Sequence, residues 1–574
     1  MMKNYMKKSV LKVLDYSGTI ALYGALLLLL TISVGCGGPS RFQPPPALPD
    51  DRMDIPQPRE SEINIVADSF DMQVTEQLDQ LLDFSRHFRK LAGRPKQSMN
   101  ADAFGEVPSS SWFTNRNAVH RMTIEEIKRG PDTGTGPDME NVWNVVSAKA
   151  EGVTPGFQIV DGRGDRYLIK FDPPGHPELI TGAEVVSTKL LYAAGYHVPE
   201  NYVVYFHPRI LRLKEEVKFT DKKGRKRFMT QADLDEIIER LDRLPDGRIR
   251  AVASKFLKGK PLGPFKYKGI RKDDPNDIIP HHHRRELRGL RVIAAWLAHF
   301  DTKSSNSLDM YVTEGGRSYV RHYLIDFGST LGAGARGPVK RPTGHENFFD
   351  PHEITKNVFT LGLYVRPYEK APDPEYPSVG RYDAELFHPH KYKPYVPNPA
   401  FENLTGNDGF WAAKIVMSFT DEQLEAAVAA GDYSDPNAAA YILRMLIERR
   451  NLVGRYWFSR MNPLDGFEIR SASSGKSELC FADLANEGGL ESGSETRYKY
   501  ELLKGGQTIV SNDEMAASTC LELPVDPGSD ETYFEAKIQT RRGSNAGWSK
   551  WVKVFIEFDR ASGEYVLLGL EREE

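Results

Sequence analysis

Two short stretches carry residue types that could bind and move a charged group. The first is His299-Phe-Asp301-Thr-Lys303-Ser-Ser-Asn306, and the second is Asp326-Phe327-Gly328. Their chemistry suits phosphoryl transfer. That reaction asks for a carboxylate near the attacking hydroxyl, oxygen ligands for magnesium and a cation on the phosphates. Asp301 suits the first role and Asn306 with Asp326 the second, while Lys303, two residues past Asp301, can reach the transferred group. Either stretch alone could be a polar loop or a glycine turn after a buried strand. Both in this order, with a strand pair between them, argue for a site.

Several elements must position these groups. Glu286 to Ala298 has helical periodicity, with Leu287, Leu290, Ile293 and Leu297 on one face, and delivers the first stretch. The runs LDMYVTE and SYVRHYLID read as strands joined at Gly315-Gly316, a hairpin that returns Asp326 to the side of Asn306. Upstream, NVWNVVSAK, FQIVD and RYLIKF read as strands, with Gly152 and Gly156 bounding the first turn and Lys170 ending the third strand. The two glycines would let backbone N–H groups approach phosphate, aided by Lys149 and Thr154. A helix follows from about Glu178 to Ala194, ending at Gly195, and places Glu184 beside Ala183, Val185 and Val186 on a face that should pack.

The ends of the chain have a different character. Lys3, Lys7, Lys8 and Lys12 precede an almost wholly apolar run from Thr19 to Val34, and Ser33-Val34-Gly35-Cys36-Gly37 follows. This resembles the lipobox of bacterial lipoproteins, with Ser33 where leucine is usual. The resemblance implies cleavage before Cys36, a lipid on Cys36 and an envelope location, on the outer membrane or the periplasmic face. Cys480 and Cys520 then remain as a pair that either bonds in an oxidising compartment or stays as two buried thiols. A Pro-rich stretch to about Glu62 reads as a spacer, and Val74 to Leu91 as an amphipathic helix. The formal net charge of −4 gives no reason to expect a nucleic-acid partner.

Between these regions, Asn201 to Phe206 and Ile249 to Leu257 read as further strands, and the charged stretch Lys214 to Arg248 as an insertion with one helix. His281-His282-His283 reads as the polar start of a helix rather than a metal cluster, since consecutive histidines do not share a helix face. Trp112 reads as a buried anchor. Helices are expected at Trp411 to Ser418, Asp421 to Ala430 and Asn437 to Trp457, and Leu361 to Asn403 as long ordered loops. From Gly466 onward, short β-type runs alternate with turns, as in a β-sandwich. Gly547-Trp548-Ser549-Lys550-Trp551 resembles the ending of fibronectin type III modules, with both tryptophans expected in the core.

Lys170, Glu184, His299, Asp301, Lys303, Asn306 and Asp326-Phe327-Gly328 occur in the order of the protein-kinase-like superfamily. The chain resembles an atypical member, comparable to the HipA-like and CotH-type branches. The resemblance implies an α+β, bilobal kinase-like fold followed by an all-β sandwich, and an ATP- and Mg²⁺-dependent transferase. Lys170, Glu184, Gly152 and Gly156 would bind nucleotide, Asn306 and Asp326 would hold Mg²⁺, Asp301 and Lys303 would be catalytic, and His299 would brace the loop. Lys303 leans the acceptor toward a protein hydroxyl over a small molecule; a degenerate, ligand- or partner-binding version of the fold is the rival. No A-P-E motif follows, and Phe348-Phe-Asp-Pro351 takes its approximate place. The implied division is 1–36 signal peptide, 37–100 linker and helix, 101–260 small lobe with an N-terminal extension, 261–465 large lobe and 466–574 sandwich.

Overall fold

The computed structural model describes residues 41–61, 82–149, 156–220, 225–471, 476–515, 518–525, 531–543 and 546–574. Cys36 with the whole expected signal segment, and Gly152 and Thr154 of the first glycine turn, lie outside the described residues. Among the described residues no helix is long and apolar enough to cross a membrane.

Two short helices come first, α1 (Phe84–Leu91) and α2 (Ile124–Arg129). Then β1 (Trp143–Lys149), β2 (Gly156–Val160) and β3 (Arg166–Lys170) form an antiparallel meander, as their alternation predicts. The helix α3 (Leu179–Ala194) follows, then β4 (Asn201–Phe206), β5 (Leu211–Thr220), β6 (Lys226–Phe228), the helix α4 (Gln231–Glu239) and β7 (Ile249–Lys255). All seven strands share one sheet in the order β4-β7-β3-β2-β1-β5-β6. The stretch expected as an insertion is therefore part of the sheet. β5 pairs parallel with β1 and extends it, and Leu234, Ile237 and Ile238 of α4 join the sheet's apolar core.

The chain then enters the second lobe through β8 (Lys260–Gly263) and the helix α5 (Arg285–Trp296), which is preceded by a single 3₁₀ turn at His281–His283. In that turn His281 contacts Asp277 at 2.7 Å and His283 faces Arg288 at 2.6 Å, so the triplet opens a helix as its spacing suggests. β9 (Ser307–Glu314) and β10 (Arg317–Leu324) pair in full register from Ser307↔Leu324 to Glu314↔Arg317. Gly315 and Gly316 close the turn at φ 57° and 79°, both in the left-handed region that a two-residue hairpin of this twist needs. β8 pairs with β9 and is an edge strand of the second lobe's three-stranded sheet. The two-residue strands β11 (Ala333–Gly334) and β12 (Gly337–Pro338) pair antiparallel, and helices α6 (Pro351–Phe359), α7 (Gly406–Met417), α8 (Asp421–Ala430) and α9 (Pro436–Arg460) complete this lobe.

The cores of the two lobes are not independent. Ala183, Val186 and Leu190 of α3 belong to the same apolar cluster as Trp296, Phe327, Trp411 and Leu446 of the second lobe. Nearly every α3 side chain is buried, which is why its sequence is apolar on all faces. Trp112 is buried as expected, stacked on His322 at 3.4 Å with the Arg284 guanidinium over its ring.

Two expectations need correction. Residues 41–61 are not a free spacer. Phe42 stacks on Phe555 at 4.4 Å, Ser111 donates to Asp51 at 2.8 Å, Ile55 is buried with Leu262 and Val320, and the Ser61 N–H reaches the Leu262 carbonyl at 2.7 Å. Proline removes donors and stiffens the segment but does not stop it docking. Nor are Trp548 and Trp551 core residues. Both are half-buried and outside the terminal apolar cluster, with Arg541 over the Trp548 ring.

The last unit pairs β13 (Leu464–Ser471), β14 (Ser477–Asp483) and β17 (Cys520–Glu522) in one antiparallel sheet. A second antiparallel sheet holds β15 (Thr496–Lys504), β16 (Gln507–Met515), β18 (Tyr533–Arg542), β19 (Val552–Asp559) and β20 (Glu564–Arg572). Leu479 and Leu521 of the first sheet share a core with Leu502, Phe534, Val554 and Ile556 of the second. Cys480 and Cys520 face each other across β14 and β17 and are bonded. The closed loop of about 40 residues predicts a stabilisation of roughly 4 kcal/mol in the chain-entropy account. Cys480→Ala with Cys520→Ala should therefore lower the melting temperature of this unit, and a reductant should lower that of the wild type but not of the variant. Calorimetry with and without reductant reads both.

Candidate active site

Lys170 ends β3 with its ammonium between two carboxylates. Nζ lies 2.9 Å from both Glu184 oxygens and 2.9 Å from Asp326 Oδ1. α3 supplies Glu184, and the start of that helix is fixed by Asp172. One Asp172 oxygen accepts from the Ile180 and Thr181 N–H groups at 2.8 and 2.9 Å, satisfying donors that a helix N-terminus leaves open. Glu184 is fully buried. Burial pushes its carboxyl above the usual range, and Lys170 opposes that shift. Burial also works against the Lys170 charge, yet Asp326 and Glu184 hold its pKa above the ordinary lysine value. The Lys170 ammonium, against some burial, keeps Asp326 below the usual carboxylate range and so ionised.

Asp326 adopts φ 66°, a left-handed backbone that a non-glycine residue rarely takes. It is held there from both sides. The Ile325 N–H donates to the Asn306 carbonyl at 3.0 Å, and the Phe327 N–H to Glu184 Oε1 at 3.3 Å. Phe327 is fully buried, with its ring 5.8 Å from that of His299. A Cβ on Gly328 would come within 2.7 Å of Ile180 and 3.1 Å of Glu184 Oε2, so this glycine lets the Asp326 turn lie against α3.

Asp301 is held by its two downstream neighbours. Lys303 Nζ lies 3.0 Å from its carboxylate, and Asn306 Nδ2 donates to its Oδ2 at 3.0 Å and its carbonyl at 2.8 Å. The loop is fixed from behind. α5 delivers it, the Leu331 N–H donates to the Leu297 carbonyl, and Asn398 Nδ2 reaches the Thr302 carbonyl at 3.0 Å. His299 is buried, and desolvation holds its pKa below the ordinary histidine value, so the ring is neutral.

The structure thus brings together Lys170, Glu184, His299, Asp301, Lys303, Asn306 and Asp326, residues spread over more than 150 positions of the sequence. Gly156 pairs with Lys170 across β2 and β3, and a Cβ there would meet the Ile169 carbonyl at 3.0 Å.

Three positioning residues escaped the sequence reading. Arg449 of α9 donates to the Ala295, Trp296 and Asp383 carbonyls at 2.5, 2.9 and 2.7 Å, gripping the C-terminal end of α5 just before His299. Tyr382 donates to the Trp296 carbonyl at 2.7 Å, and Tyr392 to the His299 carbonyl. Arg449 left a signal. It occupies an apolar stripe with Ile442, Leu446 and Val453, where a buried cation needs partners. The tyrosines left none.

The sequence matches no family model and no curated protein. Among solved structures, the Helicobacter pylori proinflammatory kinase CtkA aligns over 54% of this chain and 93% of its own, at 11% identity with a TM-score of 0.27. A Golgi casein kinase aligns over 72% of this chain and 96% of its own, at 11% identity with a TM-score of 0.27. The Golgi casein kinase with Mn/ADP bound aligns over 67% and 88%, at 10% identity with a TM-score of 0.26. Likeness this weak carries nothing further, and the function has to be read from the cleft itself.

Proposed function

We propose that the chain is an ATP- and Mg²⁺-dependent phosphotransferase that phosphorylates a protein hydroxyl at the cell envelope. The observation that carries this reading is the Lys170 ammonium held between Glu184 and Asp326, with Asn306 tying Asp301 to the Ile325 backbone next to Asp326.

The residues present fit a hard divalent cation. Asp326 is ionised and half-exposed, and only its Oδ1 is taken by Lys170. Asn306 donates through Nδ2 to Asp301, which leaves its amide oxygen for a metal. A carboxylate and an amide oxygen beside water and phosphate are the donor set that Mg²⁺ prefers. Mg²⁺ bound there would neutralise charge on the phosphates.

The chain's own groups would do the rest. Lys170 would contact the nucleotide phosphates, kept cationic and in place by Glu184. The glycine turn at Gly152 and Gly156 would cover them. Asp301 would orient the acceptor hydroxyl and take its proton as the new oxygen–phosphorus bond forms and the bond from the γ-phosphorus to its bridging oxygen breaks. Lys303, beside Asp301, would meet the charge on the phosphoryl oxygens. The lysine at this position favours a protein acceptor over a small molecule. The envelope location rests on the lipobox-like stretch at Cys36 and is supported by the Cys480–Cys520 bond, which belongs to oxidising compartments. The terminal unit is proposed as a fibronectin type III-like module.

A thermal-shift titration of the full chain with Mg·ATP tests the cleft. A 100-fold excess over Kd should stabilise the wild type by about 2.7 kcal/mol, and Asp326→Ala should show no shift. No shift in the wild type, or the same shift in both, would instead make this a scaffold that binds a partner without turning over nucleotide.

A further inference from the structure

A cavity of about 760 Å³ lies behind the connection between the lobes, apart from the cleft. Its walls come from the chain leaving β7, the end of α3 and the segment that follows it, the β9–β10 hairpin, and the stretches that hold Arg116 and Pro131 with Thr133. None of Lys170, Asp301 or Asp326 lines it. Its volume is ordinary for a small-molecule site.

The polar groups facing this cavity are unevenly satisfied. Two acids line it, and both are occupied. Glu314 takes the Arg321 guanidinium at 2.6 and 2.5 Å, and Glu200 accepts from the Thr133 N–H and hydroxyl at 3.1 and 2.9 Å. Two cations are left over. Arg116 lies flat over the Tyr192 ring at 3.9 Å and donates only to the Tyr192 and Tyr196 carbonyls, with no carboxylate in ion-pair reach among the described residues. Lys258 is exposed and has no ion pair among the described residues. A guanidinium on a tyrosine face, half-buried and without a counter-charge, is arranged to receive an anion.

His197 adds a second, independent requirement. It is 8% exposed and lines the cavity, and its Nε2 has no hydrogen-bond partner. Burial, reinforced by Arg321 and Arg116, holds the ring neutral. Nε2 is thus a buried polar nitrogen without a partner, which a hydroxyl, able both to donate and to accept, would satisfy. The Tyr323 ring, 5.8 Å from that of His197, supplies an aromatic wall beside it.

We propose that this cavity is a second ligand site, taking a small hydroxylated organic anion of the sugar-phosphate or sugar-acid class. Its acidic group would sit between Arg116 and Lys258, and a hydroxyl would form a hydrogen bond with His197 Nε2. Because the walls follow α3, which bears Glu184, and belong to the hairpin that ends at Asp326, an occupant would contact both lobes at once. The binding itself does not depend on the chain being a transferase.

Calorimetric titration of the full chain with glucose 6-phosphate, glucuronate and inorganic phosphate tests this. The expected result is saturable binding of at least one hydroxylated anion, tighter than inorganic phosphate by about tenfold or more. Lys258→Gln, an exposed change that leaves the fold alone, should weaken it severalfold, and Arg116→Gln by about tenfold or more. His197→Phe should erase the preference over inorganic phosphate. Which of the two organic probes binds assigns phosphate or carboxylate as the recognised group. Absence of binding by all three probes, or equal affinity for inorganic phosphate and both organic anions in the wild type, overturns the proposal. So does unchanged binding in Lys258→Gln together with His197→Phe.

Discussion

Asp301→Asn is expected to cut transfer of labelled phosphate from ATP by about 10²- to 10⁴-fold, the range a positioned general base contributes, while nucleotide binding persists. The substitution is nearly isosteric. Its amide oxygen can still accept from Asn306 Nδ2, now at 3.0 Å from the carboxylate, so the loop keeps its shape. What disappears is the negative charge that draws the acceptor proton and balances Lys303. Lys170, Glu184 and Asp326 stand apart from the change, so a Mg·ATP thermal shift should match the wild type. Equal label in the variant and the wild type would remove the enzyme reading altogether.

Lys170→Met should act twice. Nucleotide engagement should be lost, and the protein should become less stable by about 3–5 kcal/mol, the usual result of leaving one member of a buried ion pair alone. The second effect has a definite pH dependence. Burial already raises the Glu184 pKa above the ordinary glutamate value, and removing Lys170 takes away the group that opposes this. Below the unfolded value the carboxyl is protonated in both states and no difference arises. As pH rises past it, the unfolded chain ionises while the folded chain resists, so stability falls until the folded pKa is reached. The variant should therefore differ least from the wild type in acid and most at neutral pH, as denaturant melts would show. Adding Glu184→Leu to Lys170→Met should recover most of the stability and none of the nucleotide binding. Recovery of both would mean that the pair serves the fold alone.

Much of this site was legible because its residues sit at element ends, where type and spacing speak directly. The Gly315-Gly316 turn set the hairpin register, and that register alone returns Asp326 to Asn306. Lys170 after an apolar strand, and Glu184 inside a helix apolar on every face, each broke a local pattern at a place where a buried charge needs a partner. Other features were silent for physical reasons. β16 was not foreseen, since it is a sheet-edge strand whose apolar residues Ile509 and Val510 face solvent, leaving no alternation to read. β5 looked like a charged insertion because polar side chains line its exposed face, while its burial falls on Leu211, Val217 and Phe219. The grip of Arg449 and Tyr392 on the loop depends on tertiary proximity that no local spacing encodes.

The docked N-terminal segment has a consequence for how such an enzyme would work. Among the described residues the first contacts are those of Arg41 on Glu531 and Phe42 on Phe555. A lipid at Cys36 would leave a leash of only about 18 Å between bilayer and body, at roughly 3.5 Å per residue. The whole molecule would then graze the membrane, with the terminal sandwich beside the lipid headgroups. Its search for acceptors would be a two-dimensional patrol, favouring neighbours in the same leaflet over freely diffusing targets.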